Sequence, residues 1–279
     1  QAEDGIRDSV ASRGLGDVYK RQIYISHIED EIIICTLNRP EASNAFNSKM
    51  AEEIYTFFEE FSIGNKKTRV IILTGNGKKA FCAGGDLKER NEMTSEKWFI
   101  QHKLYERMIR SIKDCPVPII AAVNGAAYGG GCEIVSAVDI AYAAKHSLFA
   151  QTETKLGIIP GAGGTQNLPR AVGEKRALEL ILTGKTFTAL EAKNWGLVNE
   201  IFDGDQLMIE VTKIAKMIAQ NAPLAIKQAK NSIKKGLQMS LSDGLSFEIE
   251  CYNRTIITKD RQEGILAFNE KRPPKFKGH

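Results

Sequence analysis

Two apolar runs, VIILTG at Val70–Gly75 and VPIIAAV at Val117–Val123, each lead into a glycine-rich stretch. Short runs without charge, closed by glycine, read as buried strands. The stretches that follow are KKAFCAGGDLKER (Lys78–Arg90) and VNGAAYGGGCEIV (Val123–Val135). Glycine permits positive φ and close backbone approach, and so leaves amide N–H groups open to a ligand. A helix is expected from Gly129 to Val138, which puts Gly129–Gly131 at a helix N-terminus with its partial positive charge. Two amides from separate loops can together hold negative charge developing on a carbonyl oxygen. Taken alone, each loop is equally well a plain strand-to-helix turn. Neither contains GxGxxG or GxxxxGK[ST], which argues against dinucleotide and P-loop nucleotide binding.

The rest of the chain gives these loops a frame. Ile23–His27 and Ile32–Leu37 read as strands around a turn at Glu29–Glu31, and Asn47 or Ser48 caps a helix reaching about Phe61. Ser95 to about Lys113 has helical period, while Ile140–Ala144 and Leu197–Phe202 are strand-like. After Gly204 the pattern is helical: Gln206–Gln220, Pro223–Lys235, Leu241–Thr258 and Lys259–Asn269. The expected fold class is therefore α/β, with a core over residues 22–204 and a helical C-terminal region over 205–279. Residues 1–21 are polar and aperiodic and are expected to be a disordered or non-native tail.

Charge and cysteine usage narrow the function classes. A net charge of +4 with mixed signs suits a phosphorylated ligand but leaves no nucleic-acid footprint. The five cysteines are odd in number and lack CxxC spacing, so buried reduced thiols are expected rather than disulfides or a zinc site. No apolar run approaches the roughly 18–20 residues of a membrane span, and a cytoplasmic location is expected.

Two carboxylates draw attention. Glu133 lies on the helix that starts at the glycine triplet, and Glu153 sits in LFAQTETKLGIIPGAGGTQNLPRAVG (Leu148–Gly173), just before a Gly/Pro-rich turn. A pair converging on one pocket can divide acid and base roles when their surroundings separate their pKa values. A glutamate on a helix is more often a solvated surface residue, and sequence alone does not make these two converge.

From about Ile23 to Gly278 the chain resembles the crotonase (enoyl-CoA hydratase/isomerase) superfamily. LNRPEASNAF (Leu37–Phe46), FCAGGDLKER (Phe81–Arg90), PVPIIAAVNGAAYGGGCE (Pro116–Glu133), LGIIPGAGGTQNLPRAVG (Leu156–Gly173) and EAKNWGLVN (Glu191–Asn199) occur in the expected order. The resemblance implies a crotonase-like spiral of ββα turns closed by C-terminal helices, assembled as a homotrimer or a dimer of trimers. It places the oxyanion-hole amides on Gly85 and Gly130, with Ala83, Gly84, Gly85, Asp86, Leu87, Lys88 and Gly130 binding CoA and substrate. Glu133 would position and deprotonate water, and Glu153 would protonate C2, making a hydratase of an α,β-unsaturated acyl-CoA. No metal or redox cofactor is expected; coenzyme A is part of the substrate. Relatives that isomerise or dehalogenate use other acid/base sets, and an enoyl-CoA isomerase or another crotonase-fold CoA-thioester enzyme is the alternative. A catalytically inactive member is disfavoured by the presence of both glutamates and both glycines.

The ending TKDRQEGILAFNEKRPPKFKG (Thr258–Gly278) resembles that of methylglutaconyl-CoA hydratases, though short-chain enoyl-CoA hydratases share much of it. A substrate with a second carboxylate requires a cation in the acyl pocket; Lys103, Arg107 and Arg110 are on the helix after the first loop but read as surface residues. Animal methylglutaconyl-CoA hydratases also bind AU-rich RNA through lysines of the first helix. Here that helix has Glu52, Glu53, Glu59 and Glu60 against Lys49, which disfavours RNA. His27, His102 and His146 read as structural or surface residues, Trp98 and Trp195 as packing, and Lys227, Lys230, Lys234 and Lys235 as a solvated face. The resemblance alone suggests Phe268 or Lys271 as contacts to a neighbouring subunit's CoA.

Overall fold

Residues 6–7, 21–64 and 67–279 are described by a computed structural model. In chain order the strands are β1 (Ile6–Arg7), β2 (Ile23–Ile28), β3 (Ile32–Leu37), β4 (Val70–Gly75), β5 (Ala80–Cys82), β6 (Ile119–Val123), β7 (Ala126–Tyr128), β8 (Ile140–Ala144), β9 (Leu148–Ala150), β10 (Phe187–Thr188) and β11 (Glu200–Phe202). The helices are α1 (Ser48–Ile63), α2 (Leu87–Arg90), α3 (Ser95–Asp114), α4 (Gly130–Ala137), α5 (Gly164–Val172), α6 (Glu174–Thr183), α7 (Ala189–Asn194), α8 (Leu207–Ala219), α9 (Pro223–Gly236), α10 (Leu241–Ile256) and α11 (Lys259–Asn269). The expectation for residues 1–21 falls outside the described residues, save for Arg21 and the short edge strand β1, which pairs antiparallel with β2.

The strands form a large sheet in the order β1-β2-β3-β4-β6-β8-β11 and a small one in the order β10-β9-β7-β5. Successive strand pairs split between them: β4, β6 and β8 enter the large sheet, and β5, β7 and β9 enter the small one. Helices follow each pair, so the chain advances as a parallel ββα spiral. This is the crotonase-like architecture, with the expected helical C-terminal region.

The apolar runs have no polar alternation because both faces of the large sheet are covered. Ile33, Cys35 and Leu37 of β3, Ile71 and Leu73 of β4, and Ile119, Ala121 and Val123 of β6 point into the main core. The residues between them, Ile32, Ile34, Val70, Ile72, Ile120 and Ala122, face the other way, against Leu207, Val211, Ala215 and Ala219 of α8. These last four recur every fourth residue and form a single stripe on the helix. Helix α8 is thus packed on the core sheet.

The structure departs from the sequence reading in definite places. The small sheet was not foreseen, since its strands have only two or three residues. The last strand of the large sheet starts at Glu200, not Leu197, because the Leu197 and Val198 amides turn back to donate to the Ala192 carbonyl. Lys230 is not on a solvated face: its Nζ donates to Asp139 Oδ2 (2.6 Å) and to the Val117 carbonyl (2.9 Å), and Lys234 pairs with the other oxygen of Asp139. Asp139 also accepts from the Ile119 amide at the start of β6, so this cluster locks α9 to the sheet. All five cysteines are buried and free, as read. Among the described residues no helix is long and apolar enough to cross a membrane.

Candidate active site

The two glycine-rich stretches meet. Phe46 forms a parallel bridge with Gly85: its amide donates to the Gly84 carbonyl (2.9 Å), and its carbonyl accepts from the Asp86 amide (2.9 Å). That pattern turns the Gly85 N–H away from Phe46, and it has no acceptor among the described residues. Gly130 is the first residue of α4, where helix geometry leaves the amide without an intrahelical partner. A β-carbon on Gly84 would stand 3.0 Å from the Gly130 nitrogen, so the two loops approach backbone to backbone. A β-carbon on Gly130 would overlap the Phe46 ring, so only glycine fits there. Two unspent amides therefore sit side by side, one from each loop.

Helix α4 carries Glu133 into the same space. The residue is only 4% exposed, and its Oε1 accepts from the Ala162 and Gly164 amides, each at 2.8 Å. Burial pushes its pKa up, while those two amides and the nearby Arg90 charge pull against the rise. One oxygen is fixed by the backbone and the other remains available. Glu153 follows β9 as the first residue of a single 3₁₀ turn, Glu153–Leu156, and is also buried. Its Oε2 has no hydrogen-bond partner among the described residues, and its Oε1 lies 2.9 Å from where a Gly129 β-carbon would stand. Burial and then the Glu133 charge push its pKa up to about 7. Burial thus raises both carboxyls, and what separates them is their partners: two backbone amides hold Glu133 Oε1, whereas Glu153 Oε2 has none among the described residues.

A cavity of about 900 Å³ takes in both glutamates, together with Ala83, Gly84, Gly85, Leu87 and Gly130. Asp86 and Lys88 do not line it. The Asp86 carboxylate is turned into the fold, pairing with Arg39 at 2.9 Å and capping α2 through the Lys88 amide at 3.0 Å. Lys88 is exposed. Of the basic residues on α3, Arg110 lines the cavity, whereas Lys103 and Arg107 do not; Arg107 lies over the Tyr55 ring.

Some of the lining escaped the sequence reading. His102 and Trp98, which the sequence places at the surface and in packing, both face the cavity, as does Arg90. The guanidinium of Arg90 lies 4.2 Å above the Trp98 ring and 4.9 Å from that of Tyr105, and its Nε donates to Gln101 Oε1 at 2.8 Å. The available signal was the helix period of α3: Trp98, Gln101, His102 and Tyr105 recur at three- and four-residue spacing and so share one face.

Comparison with known proteins bears on this geometry. A family profile described as Enoyl-CoA hydratase/isomerase matches residues 27–279. The mouse mitochondrial methylglutaconyl-CoA hydratase is 38% identical over 281 residues, covering 98% of this chain and 89% of its own. The short-chain-enoyl-CoA hydratase of Clostridium acetobutylicum is 39% identical over 244 residues, covering 88% of this chain and 93% of its own. A crystal structure of an enoyl-CoA hydratase from Bacillus anthracis superposes with a TM-score of 0.91 at 42% identity, over 93% of this chain and 100% of that one.

Proposed function

The chain belongs to the enoyl-CoA hydratase/isomerase family and is an enoyl-CoA hydratase; from that premise we propose that Glu133 and Glu153 add water across the C2=C3 bond of a short enoyl- or 3-methylglutaconyl-CoA. One observation carries this reading: two buried carboxylates with unlike partners face the same cavity as two acceptor-free glycine amides.

The chemistry follows from the charges that must be managed. Attack of water at C3 moves the π electrons toward the thioester, so negative charge accumulates on the carbonyl oxygen. The Gly85 and Gly130 amides receive that oxygen; losing one such donor typically costs about 2.7–4 kcal/mol of transition-state stabilisation. Glu133, with Oε1 fixed by Ala162 and Gly164, uses its other oxygen to orient the water and take its proton as the C3–O bond forms. Glu153, with a pKa of about 7, holds a proton to give to C2 as the enolate collapses. Every proton and the developing charge then have a residue to hold them. We assign the Ala83–Lys88 segment to the thioester and CoA, with Asp86 acting from behind by holding that loop on Arg39.

A homotrimer or dimer of trimers in the cytoplasm completes the proposal. Leu241, Leu245, Ile249 and Tyr252 leave an apolar face of α10 exposed, which supports burial against another copy. Light scattering on the purified protein measures that assembly.

Reaction in isotopically labelled water tests the chemistry. Hydration places solvent oxygen at C3 and one solvent hydrogen at C2 of the product. An isomerase would yield a shifted double bond with no solvent oxygen incorporated, and that product would overturn the hydratase mechanism.

A further inference from the structure

Among the described residues two arginines and one lysine line the cavity, and they are not equivalent. Arg110 is exposed and paired with Glu106 at 2.6 Å. Lys113 is exposed, and its Nζ donates to Asn167 Oδ1 at 3.1 Å. Arg90 is half-buried and makes no ion pair with any described carboxylate. It is also held rigidly. Its Nε is spent on Gln101, which itself donates to Ser48 Oγ (2.9 Å) and Glu89 Oε2 (2.7 Å), and its guanidinium face lies over Trp98. Its two terminal nitrogens have no hydrogen-bond acceptor among the described residues. They stand beside the first glycine loop: a β-carbon on Gly85 would lie 3.6 Å from Arg90 Cζ and 3.7 Å from Nη1.

We propose that Arg90 is the specificity-determining cation of this site and binds a second carboxylate, at the far end of an α,β-unsaturated dicarboxylic acid carried as its CoA monothioester. The inference rests on the hydratase reading above and names its substrate class. A guanidinium with a free planar edge matches a carboxylate bidentately, and pre-orientation by Gln101 and Trp98 lowers the entropy lost on pairing. Against a purely aliphatic acyl tail, the same edge would lose water and gain nothing in return. With the thioester carbonyl on the Gly85 amide, a five-carbon chain keeps its far carboxylate in the neighbourhood of Arg90.

Glutaconyl-CoA and crotonyl-CoA test this directly, because they differ only by a carboxylate on C4. The readout is the ratio of their kcat/KM values for hydration, in which a shared effect on folding or on Glu133 cancels. Wild type should favour glutaconyl-CoA by about tenfold or more, and Arg90→Gln should lower the ratio by at least about 50-fold, mainly through KM for the dicarboxylic substrate. Arg90→Lys, which keeps the charge but loses the fork, should fall between them. A ratio that stays within threefold in Arg90→Gln, or a wild type that favours crotonyl-CoA, overturns the role of Arg90 while leaving the hydratase reading intact. Hydration of neither substrate by wild type removes both.

Discussion

Replacing Glu153 by Gln separates its chemistry from its cost to the fold. In the folded protein the carboxyl is carried from an ordinary 4.5 to about 7, first by burial and then by the Glu133 charge. Between those values the native state holds a proton that the unfolded chain has released, so stability falls as pH rises through the window. A displacement of that size corresponds to about 3 kcal/mol, present below pH 4.5 and lost above pH 7. Glutamine stays neutral throughout and avoids the loss. Glu153→Gln should therefore gain about 2–3 kcal/mol over wild type on going from pH 5 to pH 8, measured by urea denaturation at fixed protein concentration. Over the same range the alkaline fall in wild-type kcat/KM, expected near pH 7, should vanish in the variant along with most of its activity. A stability difference that stays constant within about 0.5 kcal/mol from pH 5 to pH 8 would show that Glu153 ionises like a solvated glutamate, and would refute its role as the proton donor.

Other substitutions probe other parts of the account. Gly130→Ala should lower kcat by at least about 10²-fold in hydration assays, because the new methyl overlaps the Phe46 ring and displaces the α4 amide. Lys230→Met leaves Asp139 with one cation fewer in a half-dry site, and calorimetry should show a loss of about 2–4 kcal/mol with α9 loosened from the sheet. Gly131→Ala drives a β-carbon into the Cys82 carbonyl at the root of the first loop, and should cost more than about 3 kcal/mol in denaturant titrations.

Much of the fold was written in local pattern. The runs at Val70 and Ile119 are strands because β-branched and aliphatic residues cover both faces, and α8 shows its stripe in Leu207, Val211, Ala215 and Ala219. The small sheet was illegible for the opposite reason: β5, β7, β9 and β10 are too short for any period to register. At the site, the glycine triplet announced a helix start, and with it the place of Glu133. Nothing local indicated that the Ala162 and Gly164 amides, some thirty residues away, would anchor that carboxylate. The tertiary fold likewise decides that Arg90 lies on Trp98, and that Lys230, one lysine among four on its helix, is buried against Asp139. Residue types were readable; which of them share a wall was not.

The most direct test of the central claim is the turnover of crotonyl-CoA and glutaconyl-CoA by wild type, Glu133→Gln and Glu153→Gln, with unfolding followed in parallel. The account predicts hydration of at least one thioester by wild type, and a fall of at least about 10²-fold in kcat for each variant while both remain folded. Near-normal turnover in either folded variant would contradict the assignment of water activation and C2 protonation to this pair.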